Sequence, residues 1–204
     1  MDDAQCCVLI ERCMAHRRSP AQIRGSPATS PSEERMSIAD TLLPEFDLEF
    51  AATRRMLALV PDASANWKPH PKSYALGQLA MHLANFGRWG MLTMEADELD
   101  LGRPDMAPQH RGPFGGIGPL LQTFDEQVSA FRTMLAGADD DAMQAMWTLK
   151  HGERKFFTLP RVAVLRSTVL HHMIHHRGQM TVYLRMLDVP LPDTYGPTAD
   201  TQQP

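Results

Sequence analysis

The sequence has few cysteines and none beyond residue 13. Cys6, Cys7 and Cys13 are the only three in 204 residues. The rest of the chain has none to cross-link, so a disulfide framework for the core is excluded. The paired C-x-x-C loops of closed structural zinc sites are also missing. We therefore interpret Cys6, Cys7, Cys13 and His16 as part of a tail with free thiols, and not as a zinc site.

The sequence also lacks an excess of positive charge and any long apolar run. Lys and Arg number 20 against 24 Asp and Glu, giving a net charge of −4, and no basic block offers a footprint for nucleic acid or an anionic membrane. No apolar run approaches the roughly 18 residues that span a bilayer. The first residues include Asp2 and Asp3, where a secretory signal would be basic. We predict a cytoplasmic protein with neither a nucleic-acid nor a membrane partner.

Composition divides the chain into residues 1–35 and residues 36–204. The first part is rich in Ser, Pro and Gly and has no sustained apolar periodicity after Ile10. Such a segment cannot bury enough apolar surface to fold, so we predict a disordered N-terminal arm. The chain as a whole is 43% apolar and 22% charged, which is typical of a globular protein. Residues 36–204 are therefore predicted to form one domain.

Helical periodicity in four stretches predicts an all-α fold. Ser37 is a suitable N-cap for the first helix, and Gly137 ends the third. A stretch rich in Gly and Pro, residues 97–118, separates the second helix from the third and predicts a long irregular crossover loop. The four predicted helices cover residues 37–60, 76–86, 119–137 and 158–188.

These elements predict a four-helix bundle with the long crossover between helices 2 and 3. Residues 147–157 carry aromatic and apolar side chains around His151 and Gly152. This short segment is compatible either with a small hairpin or with an extended loop.

Four of the nine histidines fall within six residues of the last predicted helix, in the sequence HHMIHH. His172 and His176 lie on the main apolar seam of this helix, whereas His171 and His175 lie on a mixed, flanking surface. At a spacing of four residues, two imidazoles stand one helical turn apart and can present nitrogens to a single ion. The inward pair, His172 and His176, is therefore a candidate metal site.

A second interpretation of these histidines is that they are hydrogen-bonded core residues without a ligand. Burying two adjacent imidazoles is costly unless each has a partner, and a divalent cation would satisfy both at once. A third ligand should come from a facing helix, and His82 lies at the edge of the apolar face of the second helix. His70, His110 and His151 lie in predicted loops and are weaker candidates.

The chain resembles the DinB-like four-helix bundle proteins, which are related to bacillithiol transferases and to mycothiol-dependent enzymes such as maleylpyruvate isomerase. The resemblance covers about residues 36–200 and rests on stretches such as WKPHPKSYALGQLAMHLAN and HHMIHHRGQMTVYLRMLD. It implies that His82, His172 and His176 hold a divalent metal and that the bundle forms a homodimer. The chain departs from the family pattern at His171, where we expect Asn, and residues 1–35 have no recognised counterpart.

Three neutral histidines would leave a fourth position on the ion, where water or a substrate atom binds. Zinc is the first choice, and nickel, iron or manganese are compatible with the same ligands. The family's thiol-transferase relatives imply a low-molecular-weight thiol and a small-molecule substrate as partners. We therefore consider a metal-dependent enzyme of thiol-transferase or hydrolase type, and alternatively a non-catalytic, metal-stabilised bundle for binding or stress response.

No Glu or Asp stands at helical spacing beside the proposed ligands, where it could act as a general base. Arg177 is expected to form a surface or subunit salt bridge.

Overall fold

The computed structural model describes residues 36–106 and 112–202, so the arm predicted for residues 1–35 lies outside the described residues. Most of the described chain is helical, and four long helical segments pack against one another. The last segment is continuous from Arg161 to Met186 and includes a π-helical stretch. In chain order the helices are α1 (Ile38–Leu57), α2 (Leu76–Ala84), α3 (Phe86–Glu95), α4 (Ile117–Ala136), α5 (Asp140–Gln144), α6 (Arg161–Val164), the π-helical stretch (Leu165–His171) and α7 (His172–Met186).

The helix ends follow the local sequence signals. The Ser37 hydroxyl accepts a hydrogen bond from the Asp40 main-chain N–H, and the Asp40 carboxylate accepts one from the Ser37 N–H, both at 3.1 Å. This capping box satisfies two N–H groups that lack a partner inside the helix. At the same end of the bundle, Gly137 is the C-cap residue of α4, which runs antiparallel to α1. The predicted helix start at Ser37 and the helix end at Gly137 are confirmed.

Aromatic side chains from α1 and α4 fill the centre of the bundle. The ring of Phe46 meets Phe131 edge to face with a centroid distance of 5.0 Å, and Phe50 meets Phe124 in the same way at 5.9 Å. All four rings are buried. Edge-to-face packing adds to the free energy gained by burying these large apolar surfaces. The core thus fixes α1 against α4.

The all-α prediction is incomplete, because the connections between helices carry a small mixed sheet. Strands β1 (Glu98–Asp100), β2 (Met146–His151) and β3 (Arg154–Pro160) pair in the order β1-β2-β3. β1 runs parallel to β2, and β2 runs antiparallel to β3. The segment 147–157 therefore belongs to a hairpin, one of its two predicted forms, and the crossover loop contains the edge strand β1.

The sheet covers a second, smaller apolar cluster beside the bundle. Trp147 and Leu149 of β2 pack with Leu99 of β1 and with Val164 of α6. The Arg161 guanidinium donates to the main-chain carbonyl of Thr93 at 2.9 Å, next to the end of α3. The sheet thus holds the start of the last helical segment against α3.

None of the helices in the described ranges combines the length and apolar character needed to cross a bilayer.

Candidate metal centre

Three histidines from two facing helices converge inside the bundle. His82 lies on α2, and His172 and His176 lie on α7. One ring nitrogen of each residue can be chosen so that all three atoms lie within 4.8 Å of one another. The Nε2 atoms of His172 and His176 are 2.8 Å apart. The structure therefore brings together the three residues that the sequence selected.

This donor set fits a divalent ion. Two nitrogens bound to one zinc ion at about 2.1 Å lie at most about 4.2 Å apart. Small side-chain rotations would therefore bring the three ring nitrogens from within 4.8 Å of one another to the separation that one ion requires. His82 is 5% exposed and His176 4% exposed, so the rings are held by their surroundings. Within the described part of the chain, His82, His172 and His176 form the group of three metal-ligating side chains that are close enough to share an ion.

The environment keeps His172 neutral. Burial lowers the pKa of His172 to about 3, and the neighbouring charges of His176 and His175 act in the same direction. A histidine with this pKa carries no proton charge near neutral pH, and a neutral imidazole is the form that binds metal. His172 can therefore bind an ion near neutral pH without first releasing a proton.

Partners around the rings hold two of the histidines in place. The Nδ1 atom of His176 lies 2.8 Å from Oε1 of Gln179, one turn further along α7. The main-chain carbonyl of Thr168 forms a hydrogen bond with the His172 ring. Thr168 belongs to the π-helical stretch that precedes α7, and such stretches widen the helix and redirect its carbonyls. Both histidines of α7 therefore contact a hydrogen-bond partner outside the cluster.

Two aromatic rings line the histidine cluster. The Phe86 ring centroid lies 5.3 Å from that of His82 and 5.1 Å from that of His172. The Tyr74 ring lies 5.9 Å from that of His82 and 6.4 Å from that of His176. Apolar walls exclude water and so strengthen electrostatic interactions within a site. A charge placed between these rings would be screened less than one at the protein surface.

The other histidines of the described chain lie outside the cluster. His70 lies in the loop before α2 and His151 at the end of β2, while His171 and His175 are exposed on the last helical segment. His110 lies outside the described residues. His70 and His151, two of the three histidines taken as weaker candidates, thus lie away from the cluster.

The expectation for Arg177 is wrong. It is 2% exposed and forms an ion pair with Glu49 inside the bundle, with Nη2 2.5 Å from Oε2, and not a surface or subunit salt bridge. The same guanidinium donates to the main-chain carbonyl of Glu49 at 3.0 Å. The charge pattern of α7 alone could not reveal this partner, because Glu49 lies 128 residues earlier in the chain.

Sequence reasoning also missed Gln179. Its position three residues after His176 is the one available signal, since residues three apart are neighbours on a helix surface. The same stretch, HHRGQ, carries the family resemblance.

The fold and the cluster define a class of protein: a helical bundle with three inward histidines contributed by two of its helices. Residues 45–180 match the model of the DinB superfamily. This match spans more than half of the chain, and the chain therefore belongs to the DinB superfamily.

Other proteins resemble this chain in sequence or in fold. The chain is 26% identical over 166 residues to the uncharacterized protein YrdA of Bacillus subtilis strain 168, covering 79% of this chain and 90% of YrdA. A DinB-like protein of Bacillus cereus ATCC 10987 superposes with a TM-score of 0.61 at 21% identity, covering 78% of this chain and 99% of the other. YfiT of Bacillus subtilis, described as a probable metal-dependent hydrolase with an unusual four-helix bundle topology, superposes with a TM-score of 0.58 at 16% identity, covering 81% and 95%. At these identities the structures demonstrate a shared fold.

Proposed function

We propose that this protein is a metal-dependent enzyme in which His82, His172 and His176 bind one divalent ion. The observation that carries this proposal is the convergence of three ring nitrogens within 4.8 Å from two separate helices. Three histidines are a ligand set of catalytic zinc sites, where the fourth position is kept for water or substrate. Zinc is the ion we favour, and nickel, iron or manganese fit the same ligands.

The charge of the site favours an anionic ligand at that fourth position. The three ligands are neutral, so the positive charge of a bound ion is not compensated by them. Glu49, the carboxylate buried between α1 and α7, is already bound to Arg177 and to the Tyr195 hydroxyl. When bound, the ion supplies Lewis acidity and lowers the pKa of a water or thiol ligand.

A hydrolase is the first reaction type we propose. Its support is the structural similarity to YfiT, the probable metal-dependent hydrolase. In such a reaction His82, His172 and His176 hold the ion, while Tyr74 and Phe86 exclude bulk water from its surroundings.

A thiol transferase is the second candidate, because the metal-ligating group contains three histidines and no carboxylate. Hydrolysis calls for a group that takes a proton from water, whereas a thiol loses its proton more readily and attacks as thiolate. The thiolate sulfur would then form a bond to an electrophilic carbon of the small-molecule substrate as a leaving group departs from that carbon, and the thiol proton would pass to solvent.

The test of the proposal is metal-dependent turnover. Protein stripped with a chelator and refilled with zinc would be screened against small esters and amides, and against electrophiles in the presence of a thiol. We expect activity that returns with the ion and is absent from His82→Ala. Stoichiometric zinc binding with no activity in either screen would instead support a non-catalytic, metal-stabilised bundle.

A further inference from the structure

We propose that Gln179 is a positioning residue that fixes His176 in the tautomer protonated at Nδ1, and so directs the lone pair of Nε2 to the metal centre. This inference rests on the proposed function, since it assigns a role to a residue beside the proposed ligands. It concerns the orientation of one ring and the position of one proton, and both can be measured in the protein without metal.

In the amide orientation of the structure, the contact between Gln179 and His176 sets the position of the ring proton. Oε1 of Gln179 lies 2.8 Å from Nδ1 of His176. An amide oxygen can only accept a hydrogen bond, so Nδ1 must carry the hydrogen. In a neutral imidazole the other nitrogen, Nε2, then carries the lone pair. This Nε2 is the atom that lies 2.8 Å from Nε2 of His172, so a proton or an ion must lie between the two nitrogens when both rings donate through Nδ1.

The amide nitrogen of Gln179 also has a hydrogen-bond partner. Nε2 of Gln179 lies 3.0 Å from Nε2 of His175, which accepts a hydrogen bond from the amide when that nitrogen carries a lone pair. Turning the amide round would place its NH₂ group against Nδ1 of His176 and would require the proton of His176 on Nε2. A protonated Nε2 cannot bind an ion. The two amide orientations therefore make opposite predictions for His176.

The Gln179 contact has a counterpart on the neighbouring ligand. The Thr168 carbonyl, in the π-helical stretch, forms a hydrogen bond with the His172 ring. Histidine ligands of metal ions commonly donate their second N–H to a carbonyl or carboxylate, which fixes the tautomer and raises the basicity of the ligand. Gln179 provides this partner through a side chain, so its contribution can be removed by substitution.

Three variants separate positioning from general stability. Gln179→Leu removes the acceptor at similar volume, and we expect zinc affinity to fall about 10-fold to 100-fold. Gln179→Glu keeps an acceptor at the same place and should retain affinity close to that of the unmodified protein. Gln122→Leu is the matched control, because Gln122 is an exposed helical glutamine that bonds Glu126 four residues on; it should leave zinc affinity unchanged.

The decisive measurement is the tautomer of His176 in the full-length, metal-free protein. Histidine nitrogen NMR at about pH 8, above the ordinary histidine pKa of about 6.5, should show the proton on Nδ1 in the unmodified protein and in Gln179→Glu. In Gln179→Leu the proton should be distributed over both nitrogens. Zinc affinity would be measured in parallel by competition with a chromophoric chelator.

The outcomes distinguish this inference from the proposed function. The absence of hydrogen from Nδ1 of His176 in the unmodified, metal-free protein would overturn the inference, as would a Gln179→Leu variant with unchanged tautomer and affinity. If the unmodified protein binds no ion while His176 is protonated at Nδ1, the proposed function falls and the tautomer assignment of Gln179 stands. The first measurement needs no variant, so it remains decisive even if Gln179→Leu fails to fold.

Discussion

Arg177 and Glu49 form an ion pair inside the bundle, and this pair anchors the turn of α7 that carries His176. Nη2 of Arg177 lies 2.5 Å from Oε2 of Glu49. Tyr195, in the C-terminal segment, donates its hydroxyl to the same carboxylate at 2.8 Å. Because Arg177 directly follows His176, the ion pair ties α7 to α1 beside the metal centre. The pair thus links the packing of the core to the position of a proposed ligand.

Breaking this ion pair on one side should destabilise the protein strongly. Glu49→Gln leaves the Arg177 guanidinium buried without its counter-ion, and we expect a loss of about 3 kcal/mol in the free energy of unfolding. Glu45→Gln is the control, since Glu45 lies one turn away on α1 and forms an exposed 3.7 Å pair with Arg166; it should cost at most about 0.5 kcal/mol. Urea denaturation measures both values.

The double variant Glu49→Leu with Arg177→Met distinguishes the loss of an ion pair from the loss of a packing contact. Two apolar side chains of similar size leave no buried charge, so most of the stability should return. A double variant as unstable as Glu49→Gln would contradict this explanation.

Removal of any one proposed ligand should weaken metal binding. We expect His82→Ala to lower zinc affinity more than about 100-fold, because two imidazoles alone form a weak site. His171→Ala is the matched control, since His171 is exposed at the end of the π-helical stretch. Elemental analysis after chelation and refilling, followed by competition titration, measures the difference. Loss of the ion in His171→Ala with full occupancy in His82→Ala would show that the ligands are assigned wrongly.

A small thiol should bind to the cobalt-substituted protein as thiolate. The fourth position of a three-histidine site accepts an external ligand, whereas a site with four protein ligands would not. We expect a sulfur-to-cobalt charge-transfer band that strengthens as the pH rises above about 6, where ligand protons are lost more readily. Cys6→Ser, Cys7→Ser and Cys13→Ser should be combined in the full-length chain beforehand, because these thiols could produce the same band. An unchanged spectrum at millimolar thiol, with cobalt bound, would count against the transferase.

Two helical glycines should respond in opposite directions to alanine. A Cβ on Gly90 would lie 2.6 Å from ring carbons of the buried Phe131, so Gly90→Ala should destabilise the protein by about 1 to 3 kcal/mol. A Cβ on Gly178 meets no atom of the described chain within 4 Å apart from its own helix. Gly178→Ala should therefore raise stability by about 0.5 to 1 kcal/mol, through the higher helix propensity of alanine. Thermal and urea unfolding of both variants provide the comparison.

Removing residues 1–35 should leave the melting temperature nearly unchanged. This part of the sequence has no periodic apolar face that could join the bundle, and α1 begins with its own cap at Ser37. Differential scanning calorimetry of the shortened and full-length chains tests the prediction. A drop of several degrees would show that the arm contributes to the folded domain.

The sequence by itself determined the four main helical stretches and the inward-facing pair of histidines. The predicted start of the last helix at residue 158 is wrong, because β3 continues to Pro160 and the helix begins at Arg161. Apolar periodicity and capping residues act over a few neighbouring positions, so the starts and ends at Ser37 and Gly137 could be read locally. The spacing of His172 and His176 relative to the apolar seam is equally local. It selected the two residues of the last helix that join the buried cluster.

Only the tertiary structure decided which distant residues meet. The sheet pairs Glu98 with Thr148, fifty positions apart, and three residues of β1 carry too short a pattern to predict a strand. The sequence predicts a surface charge at Arg177, whereas the fold places Glu49 against it inside the bundle. The sequence offered His82 as one candidate for the third ligand. The packing of α2 against α7 brings its ring centroid to 4.5 Å from that of His176. These contacts depend on chain folding over long sequence separations, which local propensity and periodicity do not encode.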